Sequence, residues 1–138
     1  ASEAMQEAGV NACTDITGFG LMGHLLEMMN GSDTAAVISA DSIPLLPGVV
    51  ELAASGVVPG GTRDNFAFTA PSAEYDERLS ATKRLVLNDA QTSGGLLISV
   101  PKGKAEALVR KLRSSGVADA AVIGEVTSFA GKRIRVDV

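Results

Sequence analysis

The feature that most constrains this chain lies near its start. A short apolar run, Val10-Asn11-Ala12-Cys13, leads into the glycine-bearing stretch Thr14-Asp15-Ile16-Thr17-Gly18-Phe19-Gly20, and then into Leu21-Met22-Gly23-His24-Leu25-Leu26-Glu27-Met28-Met29-Asn30. The last segment has helical periodicity. Met22, Leu25, Leu26 and Met29 share one face, His24 and Glu27 fall opposite, and Gly31 is the expected stop. Strand, glycine turn, helix is a unit of folds in which helices cover a sheet, so an all-helical or all-strand chain is excluded.

The rest of the chain alternates in the same way. Residues 1–8 read as a helix closed by Gly9, and 34–39 as a strand. Pro44 and Pro47 make 42–48 a turn, and 49–55 reads as a helix ended by Gly56. Residues 57–66 read as a second glycine loop, 69–84 as a long surface loop or short helices, and 87–95 as a third glycine-bearing loop. The continuous apolar run 96–100 predicts a buried strand. In 102–115, Ala105, Leu108, Val109 and Leu112 form the stripe of an amphipathic helix closed by Gly116. Residues 120–126 and 132–138 read as strands. In the latter Ile134, Val136 and Val138 face in, and Arg133, Arg135 and Asp137 face out. These two predict a C-terminal antiparallel hairpin at a sheet edge. The fold class expected is α+β (α/β), a mixed β-sheet flanked by helices. With 138 residues the chain is one domain, 1–138. Its first helix starts with no lead-in, so the expectation is one part of a longer protein.

Composition removes whole classes of function. The net charge of −4 and the lack of a Lys/Arg block argue against nucleic acid. No apolar run approaches the ~20 residues of a membrane span. A single cysteine excludes an internal disulfide and a multi-cysteine zinc site, and points to the cytoplasm.

The 14–20 turn suits a phosphate or a metal. A helix N-terminus offers free N–H groups, glycines let backbone approach an anion, and Asp15 supplies a hard oxygen ligand. The alternative is that Asp15 or Thr17 caps the helix and the glycines only permit the turn. His24, the only histidine, has no Ser or Cys pattern around it and reads as a packing or interdomain contact rather than a base. Cys13 reads as a small buried residue. Pro59-Gly60-Gly61-Thr62-Arg63-Asp64-Asn65-Phe66 and Asp89-Ala90-Gln91-Thr92-Ser93-Gly94-Gly95 are two further polar glycine loops, and three of them favour one convergent site. Asp33, Asp41, Glu74, Asp76 and Glu77 show no ligand spacing and read as solvated surface.

Four segments, TDITGFGLMGHLLEM, IPLLPGV, GVVPGGTRDNF and DAQTSGGLLISV, together resemble the C-terminal domain of the selenophosphate synthetase (selenide, water dikinase) family over nearly the whole chain. Related families of the aminoimidazole ribonucleotide synthetase superfamily share the architecture but not the TGFG…GHL and QTSGG pair. One departure is Ala90, where the family has proline before Gln91. The resemblance implies a two-domain enzyme that makes selenophosphate, AMP and phosphate from ATP, selenide and water with Mg²⁺. It implies a partner N-terminal domain carrying the Cys or selenocysteine nucleophile, an essential Lys, most ATP ligands and the homodimer contact. Cys13 does not match that nucleophile, so no catalytic residue is expected in this chain. Asp15 matches a family Mg²⁺-binding aspartate, and Thr17, Gly18 and Gly20 are the candidate nucleotide contacts beside it. An apolar patch facing the other domain is expected near residues 14–24 and 89–95. Two alternatives stand: another ATP-dependent enzyme of the superfamily, and a non-catalytic nucleotide-binding or partner-binding domain.

Overall fold

In the computed structural model, which describes residues 2–129 and 131–138, six α-helices are interspersed with six strands along the described chain, besides three single turns of 3₁₀ helix. They are α1 (Ser2–Ala8), β1 (Ala12–Asp15), α2 (Gly20–Ser32), β2 (Thr34–Ser39), α3 (Val49–Ala54), α4 (Gly60–Thr69), β3 (Ala73–Tyr75), α5 (Ala81–Leu87), β4 (Leu96–Ser99), α6 (Ala105–Ser114), β5 (Gly124–Ser128) and β6 (Ile134–Asp137).

The strands form two sheets. A mixed four-stranded sheet runs β3-β6-β2-β5, with β3, β6 and β2 parallel and β5 antiparallel on one edge. β1 and β4 form a separate antiparallel ribbon that aligns Asp15 with Leu96. The main core lies between the larger sheet and helices α2 and α5. Met22, Leu25, Leu26 and Met29 of α2, with Leu87 of α5, meet Ala36, Ile38, Ile134 and Val136 of the strands. Burial of such aliphatic side chains supplies the main driving force. A second small cluster, Ala4, Leu108 and Leu112, joins α1 to α6 and packs on Ile98 of β4. The amphipathic stripe of α6 therefore does what its periodicity predicts.

Four expectations are corrected. The C-terminal pair is no hairpin, because β2 lies between β5 and β6. In that inner position Ile134 and Val136 are completely buried and β6 has ladder partners on both sides, which an edge hairpin denies them. Just before β6, Arg133 donates to the Thr34 carbonyl (2.9 Å) and to Asp33 (2.8 Å), tying the strand to the start of β2. Gly31 does not stop α2. The helix ends at Asp33 in the left-handed region (φ 53°), which an aspartate tolerates better than most residues. Residues 57–66, read as a glycine loop, instead enter helix α4 at Gly60, and the helix runs on to Thr69. Finally β4 is not a buried strand: the ribbon it forms with β1 leaves Leu96 45% exposed.

Candidate functional site

The three glycine loops meet. The turn after β1 (residues 16–19) and the loop after α5 (residues 88–95) are laced by backbone bonds. Ile16 N–H donates to Gly95 (2.9 Å), Gly94 N–H to Ile16 (2.9 Å), and Gln91 N–H to Thr17 (3.1 Å). Gly20, with φ 66°, lies so close to the second loop that a Cβ would stand 2.7 Å from the Asp89 carbonyl oxygen and 2.8 Å from Asn88 backbone. Loop-on-loop docking and the positive φ suffice to require glycine there. Gly18 differs: it is exposed, and nothing stands within 4 Å of where its Cβ would be.

Helix α4 holds the two loops together. Thr62, Asn65 and Thr69 lie on one face of it, and all three are buried. Asn65 Nδ2 donates to Gly18 O (2.8 Å) and Asn88 O (3.1 Å), so one amide bridges both loops. The Thr62 hydroxyl donates to Asp89 (2.6 Å) and accepts from the Ala90 N–H. Thr69 donates to Asn88 Oδ1 (2.7 Å). Asn88, fully buried, donates in turn to the Tyr75 hydroxyl (3.0 Å) and the Arg84 carbonyl (2.8 Å). No buried side-chain nitrogen or oxygen among the described residues lacks a partner. A fully satisfied buried network of this kind rigidifies what it touches. Burial raises the Tyr75 phenol, against the lowering effect of its hydrogen bonds. Sequence reasoning missed Thr62, Asn65, Thr69 and Asn88 as a unit. Their signal was the 62, 65, 69 spacing, visible only once 60–69 is known to be helical.

Asp15 ends β1 at the mouth of this assembly. It is exposed, and among the described residues its carboxylate takes no hydrogen bond or ion pair. The capping alternative is overturned: α2 begins at Gly20, its N-cap is Phe19, and no side chain caps it. No group of three His, Cys, Asp or Glu side chains among the described residues could hold a metal. A lone free carboxylate fits a cation shared with other ligands. Mg²⁺ is usually held in that way, by one or two carboxylates with phosphates and waters.

Two side chains lie elsewhere than their sequence suggests. Cys13 is exposed rather than buried, because β1 belongs to the open ribbon. Partial burial and then the Asp15 charge push its thiol up, the opposite of what a nucleophile needs. His24 is buried although it lies opposite the apolar stripe of α2. Its Nε2 is 3.1 Å from the Thr17 hydroxyl, its Nδ1 is 3.2 Å from Glu27, and the Phe19 ring covers it edge-on. Phe19 itself is 55% exposed. Of the large apolar side chains in the two stretches where a patch was expected, 14–24 and 89–95, Phe19 is the exposed one among the described residues, and Leu96 (45%) lies just past the second.

The family described as AIR synthase related protein, C-terminal domain, matches residues 1–137. This chain belongs to that family. Among curated relatives of this AIR synthase related domain, the selenide, water dikinase of Myxococcus xanthus (strain DK1622) is 50% identical over 89% of the chain. The chain spans about a third of the length of such relatives: 34% of the Myxococcus protein and 38% of the enzyme of Carboxydothermus hydrogenoformans. Among solved structures, HypE of E. coli superposes with a TM-score of 0.62 and 24% identity, over 96% of this chain and 34% of that one. A hydrogenase maturation protein HypE in complex with ATP gives 0.54 and 20%, over 88% and 28%. These structures share the AIR synthase related fold, a mixed sheet flanked by helices. No described helix is long and apolar enough to cross a membrane.

Proposed function

We propose that residues 1–138 are the C-terminal domain of a two-domain selenide, water dikinase, which makes selenophosphate, AMP and phosphate from ATP, selenide and water. The observation that carries this reading is the 50% identity to the Myxococcus enzyme over 89% of the chain. The geometry supports it from a second side, because the chain's polar loops converge beside Asp15, whose carboxylate has no partner among the described residues.

In this reading the domain closes one wall of a site shared with an N-terminal domain. Asp15 is the Mg²⁺ ligand contributed from this side. Gly18, open on its outer face, and Thr17 lie against the nucleotide, while Gly20 acts indirectly by docking the turn on the 88–95 loop. When bound, Mg²⁺ neutralises phosphate charge and orients the transferring groups. The chain itself supplies position and electrostatics rather than a nucleophile, in keeping with the raised Cys13 thiol. Exposed Phe19 and Leu96 face the N-terminal domain. The full protein works in the cytoplasm as a homodimer.

The test is Asp15→Asn in the full-length enzyme. Asparagine keeps shape and removes charge, and a hard cation prefers charged oxygen. Turnover is expected to fall or to require far more Mg²⁺, with the melting temperature unchanged because, among the described residues, the Asp15 side chain caps no helix and has no hydrogen-bond or ion-pair partner. Wild-type turnover with unchanged Mg²⁺ dependence would overturn the ligand role. This chain alone is expected to release no AMP with selenide, ATP and Mg²⁺, and release of AMP would overturn the two-domain reading.

A further inference from the structure

Glu27, His24 and Thr17 form one chain of hydrogen bonds, and a neutral imidazole allows it one consistent proton arrangement. The ionised Glu27 carboxylate can only accept, so His24 Nδ1, 3.2 Å from Oε2, carries the ring proton and donates it there. Nε2 of the same ring then has a lone pair and no proton. The Thr17 hydroxyl, 3.1 Å away, must donate to it. The ring cannot readily turn to another partner. It is 8% exposed, and the Phe19 ring sits on it with centroids 5.7 Å apart. Gly23 leaves the space in which Phe19 lies, since a Cβ there would stand 2.7 Å from Phe19 Cβ. The hydroxyl proton of Thr17, the side chain's one hydrogen-bond donor, is thus used inside the protein, and its oxygen's lone pairs are what remain for a ligand.

We propose that His24 and Glu27 are positioning residues that present the Thr17 hydroxyl as an oxygen acceptor two residues from Asp15. The turn then takes a hard cation, not a bare phosphate oxygen, through this side chain. A phosphate oxygen needs donors, whereas a cation such as Mg²⁺ or Mn²⁺ needs oxygen lone pairs. The ligand class rests on the reading that the 15–20 turn faces a ligand; the proton arrangement does not. The carboxylate behind the imidazole plays the part that outer partners play for metal-binding side chains, fixing tautomer and orientation.

Because His24 is the only histidine, its two ring nitrogens give the only imidazole pair in a long-range proton–nitrogen NMR spectrum. In the ligand-free chain at alkaline pH, Nδ1 is expected to carry the proton and Nε2 to be bare. A predominant Nε2–H form overturns the proposal. Glu27→Gln, whose amide can donate or accept, is expected to abolish the tautomer preference at unchanged melting temperature. A merely structural Glu27 leaves the tautomer as it was, and that result also overturns the proposal. In the same chain, Mn²⁺ alone is expected to broaden the signals of residues 15–18 first. Glu27→Gln should raise the Mn²⁺ needed by about tenfold, the lower end of what loss of an outer partner costs. Thr17→Val should raise it at least as much, and Thr17→Ser should restore it. Equal Mn²⁺ response in Thr17→Val, or inorganic phosphate shifting the Thr17 signals while Mn²⁺ leaves them sharp, counts against it. Failure of the dikinase reading shows separately, as a full-length enzyme without selenide-dependent AMP release but with the His24 tautomer intact.

Discussion

Gly20→Ala is the sharpest test of how the turn after β1 is built. The φ of 66° places residue 20 in the left-handed region, where an alanine costs about 1–2 kcal/mol. The new Cβ also meets backbone, 2.7 Å from Asp89 O and 2.8 Å from Asn88 C and O, and backbone cannot swing aside as a flexible side chain can. Relief requires the 88–95 loop to withdraw, which strains the Gln91–Thr17 and Gly94–Ile16 bonds and the Asn65 bridge. Each such bond is worth about 1 kcal/mol net, so losing two and adding the backbone cost gives about 3 kcal/mol. For a chain of this length that is roughly a 9 °C fall in melting temperature. Urea denaturation and a thermal melt of the chain read it directly. Gly18→Ala is the control. It has open space around it and no left-handed φ, so its stability should stay within about 0.5 kcal/mol of wild type. A Gly20→Ala protein also within about 0.5 kcal/mol of wild type would refute the docking argument. Any loss of full-length activity in Gly18→Ala then reports on a ligand, not on folding.

Three further outcomes are expected. Asn88→Ala strips Thr69, Tyr75 and the Arg84 carbonyl of a partner inside a fully buried network, and should cost about 3 kcal/mol in urea denaturation; a cost below about 1 kcal/mol would mean the network is not coupled as its geometry implies. The Arg78 side chain, then its backbone N–H, hold Asp76 down at about 2, below the ordinary carboxylate range, so this carboxylate favours the folded state above its ordinary value and loses that effect as pH falls through about 2. Arg78→Gln should raise the Asp76 midpoint in a carboxyl NMR titration, and an unmoved midpoint contradicts the assignment. The Cys13 thiol, pushed up by partial burial and then by Asp15, should alkylate more slowly than free cysteine at pH about 8, and faster in Asp15→Asn, with equal rates in both proteins as the refuting result.

What the sequence determined by itself was local. The repeat of Met22, Leu25, Leu26 and Met29 specifies an amphipathic helix whatever it packs on, and the alternation in 132–138 tells that Ile134 and Val136 turn inward; Val138, expected inward with them, lies past the end of β6 and is 41% exposed. The strand–turn–helix unit around Asp15 was legible because strand, glycine and helix follow within ten residues. The tertiary structure alone decided who the neighbours are. Alternation gives a strand its faces but not its partners, so nothing in residues 120–138 shows that β2 separates β5 from β6. Pro59-Gly60-Gly61 has poor helix propensity, and propensity is a weak prior that packing overrides. Helix α4 forms because Thr62, Asn65 and Thr69 find partners nineteen or more residues away, on the 88–95 loop and the Gly18 turn, bonds that exist only after the chain has closed on itself. For the same reason Cys13, an apolar-strand residue by its sequence context, lies exposed: burial belongs to the sheet a strand joins, and β1 joined the open ribbon with β4.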